Sequence, residues 1–155
     1  MKPLILLTAL VFVVSCQKTK KYPPFVQHNN QEIHPGKKLM ENQCNICHSA
    51  TASHDERLAP PMIAVKKRYI LEGTNKEDFI NDIYAWFENP TEANAKMYGA
   101  VKRFGLMPKL EVSEEKLKQI SDYIYDNDIE KPDWFDKHYN EQRKKGFLLR
   151  KEIIN

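Results

Sequence analysis

Five glycines in 155 residues and few β-branched runs leave little material for a sheet-rich fold. Neither sign of charge dominates. The formal net charge of +3 is too small to argue for nucleic acid, and lysines and acids are mixed as on a solvated surface. No apolar run is long enough to span a bilayer comfortably; the longest, near the start, has about a dozen residues. Cysteine is scarce too: Cys16 stands alone, while Cys44 and Cys47 lie together, followed by His48. What remains, 41% hydrophobic and 29% charged residues, suits one modest soluble domain with tails.

The opening stretch is set apart from that domain. Lys2 precedes the apolar run, which ends in Val13-Val14-Ser15-Cys16, the pattern of an export signal. It resembles the bacterial lipobox, in which a small residue precedes a cysteine that becomes the acylated mature N-terminus. On that reading residues 1–15 are a signal peptide and Cys16 carries the lipid. The competing reading is an ordinary export signal with an incidental cysteine. Residues 16–33 are polar, contain Pro23-Pro24 and lack helical periodicity, so they read as a tether. The expected location is periplasm-facing and membrane-anchored, with acyl chains rather than a helix in the bilayer.

Three helical patterns follow, which makes the expected fold all-α. The first runs from about Gly36 to Cys47, with Leu39, Met40, Cys44 and Cys47 on one side. The second begins at Thr74, with Glu77 completing a capping box. It carries Phe79, Ile80, Ile83, Trp86 and Phe87 and stops before Asn89-Pro90. The third begins after Ser113, with Glu114 and Glu115 in its first turn and a core face of Leu117, Ile120, Tyr123 and Ile124. A fourth helix is expected in the extension 129–155, from near Pro132 to Gly146, docked through Trp134, Phe135, His138 and Tyr139. Two long stretches, from about Ser49 to Gly73 and from Pro90 to Val112, show little pattern. Such loops are anomalous in a small domain unless something other than protein fills its core.

Cys44-Asn45-Ile46-Cys47-His48 has the spacing of a c-type haem attachment site. Positions three apart share a helix face, so both thiols can add to the two vinyl groups along one porphyrin edge. The next residue then carries its imidazole under the ring. A thioredoxin-like pair would need a βαβ context, and a zinc site a second pair of ligands at finger-like spacing. A Cys44–Cys47 disulfide would leave the histidine and the long loops unexplained.

Over residues 34–128 the chain resembles the class I cytochromes c. Gly36, Leu39 and Met40 are similar to the family's first helix, with Met40 where an aromatic is common. Ala59-Pro60-Pro61-Met62 resembles its Gly-Pro-x-Leu segment, with Ala59 in the place of glycine. "FGLMPKLEVSEEKLKQISDYI" resembles its distal Met-Pro turn and C-terminal helix. The resemblance implies haem c bound covalently by Cys44 and Cys47, His48 as proximal iron ligand, and Pro60 as acceptor for its imidazole. Met107 would be the distal ligand, with Met97 as the fallback; Met62 and His54 are weaker competitors. Arg68 falls where a basic residue meets a haem propionate, and Trp86 stands either as a propionate donor or as plain core.

Two filled axial positions imply an electron carrier between membrane-associated redox partners, and not an enzyme. Lys96, Lys102, Arg103 and Lys109 form either a docking rim for acidic partner surfaces or a solvated loop. Two alternatives stand beside the carrier. One is a subunit through which electrons enter a dehydrogenase or oxidase complex. The other is a haem-based ligand sensor, should Met107 not bind iron.

Overall fold

A computed structural model describes residues 34–154, with side chains to residue 145. The expected signal peptide, the tether and Cys16 lie outside the described residues. Six helices follow in order: α1 (Pro35–Gln43), α2 (Met62–Tyr69), α3 (Lys76–Glu88), α4 (Tyr98–Phe104), α5 (Glu114–Asp126) and α6 (Phe135–Ile154). Among the described residues there is no strand, so the all-α expectation holds. None of these helices is long and apolar enough to cross a membrane.

Three helices, α1, α3 and α5, start on a side chain that satisfies one of their free N–H groups. At α1, His34 Nδ1 accepts from Gly36 N at 3.1 Å, with Pro35 at the first position, where its missing N–H is harmless. Ser113 caps α5 by accepting from Lys116 N, as expected. The cap of α3 is Asn75, not Thr74; Asn75 Oδ1 accepts from Asp78 N at 2.9 Å. Thr74 Oγ1 instead accepts from Leu71 N and closes the preceding turn.

The core forms where α5 crosses α1 and α3. Phe79 and Ile124 are fully buried and Ile120 is 2% exposed, each side chain contributing about 2–3 kcal/mol. The α1–α5 crossing requires glycine at position 36. A Cβ there would collide with the Gln119 carbonyl and lie 2.8 Å from Tyr123 Cβ. Lys76 ties α3 to α5 through Asp122 and Asp126, each at 2.6 Å. Lys66 ties α2 to the end of α5, its Nζ donating to the Asn127 carbonyl at 2.7 Å.

Three expectations are corrected here. The first helix ends at Gln43, and Cys44 to Cys47 continue as hydrogen-bonded turns. The stretches expected to lack pattern contain α2 and α4. The last helix begins at Phe135 and does not end at Gly146. The extension docks as expected: Phe135, with Ile129, belongs to the same buried cluster as Met40 and Phe79, and Trp134 and Tyr139 pack against it.

Candidate functional site

A cavity of about 210 Å³ opens between the end of α1, the 58–62 segment, α2, α3, the 96–112 segment and α5. Its wall is largely apolar, with contributions from Val65, Ile83, Phe87, Leu117 and Ile124. Into this wall the chain brings Cys44, Cys47, His48, Pro60, Trp86, Met97 and Met107. Residues 63 positions apart, from Cys44 to Met107, thus face one space because α5 and α3 form its floor.

The cysteine turn does what a continued helix would have done. His48 N donates to the Cys44 carbonyl at 2.8 Å and Cys47 N to the same carbonyl at 3.2 Å. That tight turn brings both cysteines to the cavity wall and sets His48 beside them. Both cysteines are free; Cys44 is half-buried and Cys47 exposed. Burial pushes the Cys44 thiol up to about 11, so it is uncharged at neutral pH.

His48 is oriented from behind. Its Nδ1–H donates to the Pro60 carbonyl at 2.7 Å, the partner expected for it. A carbonyl can only accept, so the proton is on Nδ1 and the Nε2 lone pair is free. Burial lowers the imidazole's pKa below its ordinary value, and the Pro60 bond partly opposes that. The ring is therefore neutral at pH 7 and competent as a metal ligand.

Met107 follows the turn that ends α4. Gly105 has φ +80°, a conformation that favours glycine, and its N–H closes the helix on the Val101 carbonyl at 2.8 Å. Met107 is half-buried. Met97 caps the other end of α4, and Met62, at the start of α2, is buried. All three thioethers line the cavity, whereas His54 does not; it packs against Trp134 and His138.

Arg68 is not among the residues that line the wall. It is exposed, and its Nε donates to the Lys96 carbonyl at 2.5 Å. The cation on the wall is Lys96, which pairs with Asp82 and lies 5.1 Å from the centre of the Tyr69 ring. Tyr69 itself, 5% exposed, was not anticipated; burial pushes its phenol up to about 12. Its one sequence signal is an aromatic after three basic residues, which is too common to single it out. Of the other basic residues flanking this segment, Arg103 lies 3.9 Å from Asp55, while Lys102 and Lys109 are exposed.

Fold and site define a class: an all-helical chain around an apolar cavity carrying two thiols, a neutral imidazole and soft thioether sulfurs. Such donors suit a large apolar group with a redox metal at its centre. Among the described residues no group of three or more His, Cys, Asp or Glu side chains is placed to hold a bare metal ion. Comparison of the chain with protein-family models, curated proteins and solved structures finds no match in any of the three.

Proposed function

We propose that this chain is a monohaem c-type cytochrome of the class I fold, carrying single electrons between membrane-associated redox partners. One observation carries the reading. Cys44, Cys47 and His48, which have haem-attachment spacing, share one apolar cavity with Met107. Cys44 and Cys47 would hold the haem by thioether bonds, each S–H adding across one vinyl group. His48 would hold the iron through Nε2 and Met107 through its thioether sulfur, with Met97 as the fallback. The haem iron, when bound, alternates between ferrous and ferric states and so takes up and passes on one electron.

The chain's own contribution is to orient and to exclude water. Pro60 holds the His48 ring and its tautomer, and the apolar wall keeps solvent from the site, favouring the less charged state. The Met107 thioether is neutral and soft, and as a ligand it would favour reduced iron. With His48 and Met107 both given to holding the iron, substrate would have no place to bind, and the proposed role is that of a carrier. Lys102 and Lys109 would steer acidic partner surfaces. Cys16, acylated, would anchor the protein to a membrane facing the periplasm.

Optical spectra of the purified chain, matured with a haem-attachment system, test the ligand set. The oxidised protein should show the weak charge-transfer band at the red end of the visible spectrum that marks thioether ligation. The reduced protein should not bind carbon monoxide at equilibrium. Met107→Ala should remove the band and open the site, and Met97→Ala should leave both unchanged. A wild type without the band that binds carbon monoxide readily would instead be a ligand sensor.

A further inference from the structure

We propose that the start of α6 acts on the site from outside, through Arg57, as a strut that holds the Met107 segment in place. The proposal rests on the haem-ligand reading above. Trp134 and Arg57 are then positioning residues for Met107, and neither lines the cavity.

The contacts run in an unbroken series from α6 to the cavity wall. Trp134 is fixed to the 49–57 loop, its Nε1–H donating to the Ala52 carbonyl at 2.9 Å. The His54 ring meets it edge-on, with centroids 5.1 Å apart. The Arg57 guanidinium lies against two rings, 4.7 Å from the centre of Trp134 and 5.4 Å from that of Phe104. Arg57 and Arg103 both donate to the His54 carbonyl, which locks the loop to the last turn of α4. Phe104 ends α4, lines the cavity, and is separated from Met107 only by Gly105 and Leu106.

The Met107 segment has few anchors of its own. Residues 105–112 belong to no helix, and Leu106, Pro108, Lys109 and Leu110 are exposed. Among the described residues, none makes a hydrogen bond to the backbone of 106–112. Its position is therefore set by its two ends, Phe104 and the Ser113 cap of α5. Attraction between a guanidinium and aromatic rings strengthens as water is excluded. The Trp134–Arg57–Phe104 stack, beside the Arg103 bond to the His54 carbonyl, joins the Phe104 end to α6.

The test uses the full haem-loaded chain and imidazole, which competes with the native sixth ligand in the ferric state. Apparent imidazole affinity reads the fraction of molecules in which Met107 has swung away. Trp134→Ala and Arg57→Ala should each bind imidazole about tenfold more tightly than wild type, with cooperative urea unfolding retained. Trp134→Phe and Arg57→Lys, which keep a ring and a cation, should recover most of the wild-type affinity. Unchanged imidazole affinity in both alanine variants, where Met107→Ala raises it, overturns the strut but leaves the ligand reading standing. If Met107→Ala also leaves imidazole binding as in wild type, the ligand reading fails and the strut with it. Should the alanine variants not fold, hydrogen exchange on the wild type decides. Amides of 104–107 and of 134–138 should open together, and separate opening overturns the proposal.

Discussion

Two halves of the molecule use apolar residues in opposite ways. Where α1, α3 and α5 meet, protein packs against protein: Phe79 and Ile124 are fully buried, and Gly36 admits the Gln119 backbone. Around the cavity mouth, Leu58 is 68% exposed, Leu106 44% and Leu110 42%, although all three line the wall. The first half is held by close packing, and a single methyl group is felt there. The second half arranges apolar surface around a space, with two short helices and an irregular segment as its frame. The first makes the fold; the second makes the site that the first holds open.

The largest break in that comparison is Gly36→Val. Its Cβ would overlap the Gln119 backbone, so α1 and α5 must separate, at a cost of about 3 kcal/mol or more. A urea unfolding curve should show it as a large drop in midpoint. Gly99→Ala, in α4 of the cavity half, should do the reverse. A Cβ there has nothing within 4 Å, and alanine in a helix should stabilise by about 0.4–1 kcal/mol. Equal effects at the two glycines would remove the distinction between the halves.

Acid should separate the halves by a smaller margin. His138, in the α6 cluster, has its pKa held below the ordinary 6.5 by burial and then by neighbouring His54, Arg57 and Arg103, against a weaker pull from Glu141. The unfolded chain therefore takes up this proton first. The stability it contributes is complete above pH 6.5 and is lost as pH falls from there through the folded pKa. Asp122, between α5 and α3, has its pKa held below the ordinary 3.8 by its hydrogen bond and ion pair with Lys76, and then by His34. Its contribution is complete above about pH 4 and is lost only as pH falls through the lower folded value. Both groups are only partly buried, so each effect is at most about 1 kcal/mol after solvent screening. Urea midpoints against pH should lose the upper window in His138→Asn and the lower one in Asp122→Asn.

The close-packed half was legible in the sequence because its signals are local and repeat. Ser113, the two glutamates and the 117–120–124 spacing announce α5, and the four core residues expected are buried, joined by Ser121, which was not expected. The cavity half was read only in outline. α2 and α4 span eight and seven residues, and neither has a side-chain cap; α4 buries nothing, so no apolar stripe marks it. Gly146 looked like a stop, but Leu148, Leu149, Arg150, Lys151 and Glu152 all favour continued helix. At the site, Cys44, Cys47 and His48 were visible as one motif. That Met107 lines the same cavity is a matter of tertiary folding and was reached only by resemblance. Lys96 rather than Arg68 on the wall, and Arg57 between Trp134 and Phe104, depend on contacts between distant segments that no local pattern encodes.

The central claim is that Cys44 and Cys47 bind haem covalently, and intact mass spectrometry of the denatured chain tests it most directly. Protein matured with a haem-attachment system should carry the mass of one haem that survives denaturation and acid-acetone extraction. The Cys44→Ala, Cys47→Ala double variant should carry none. A wild-type chain at the bare polypeptide mass, or haem that extracts freely from it, would contradict the account.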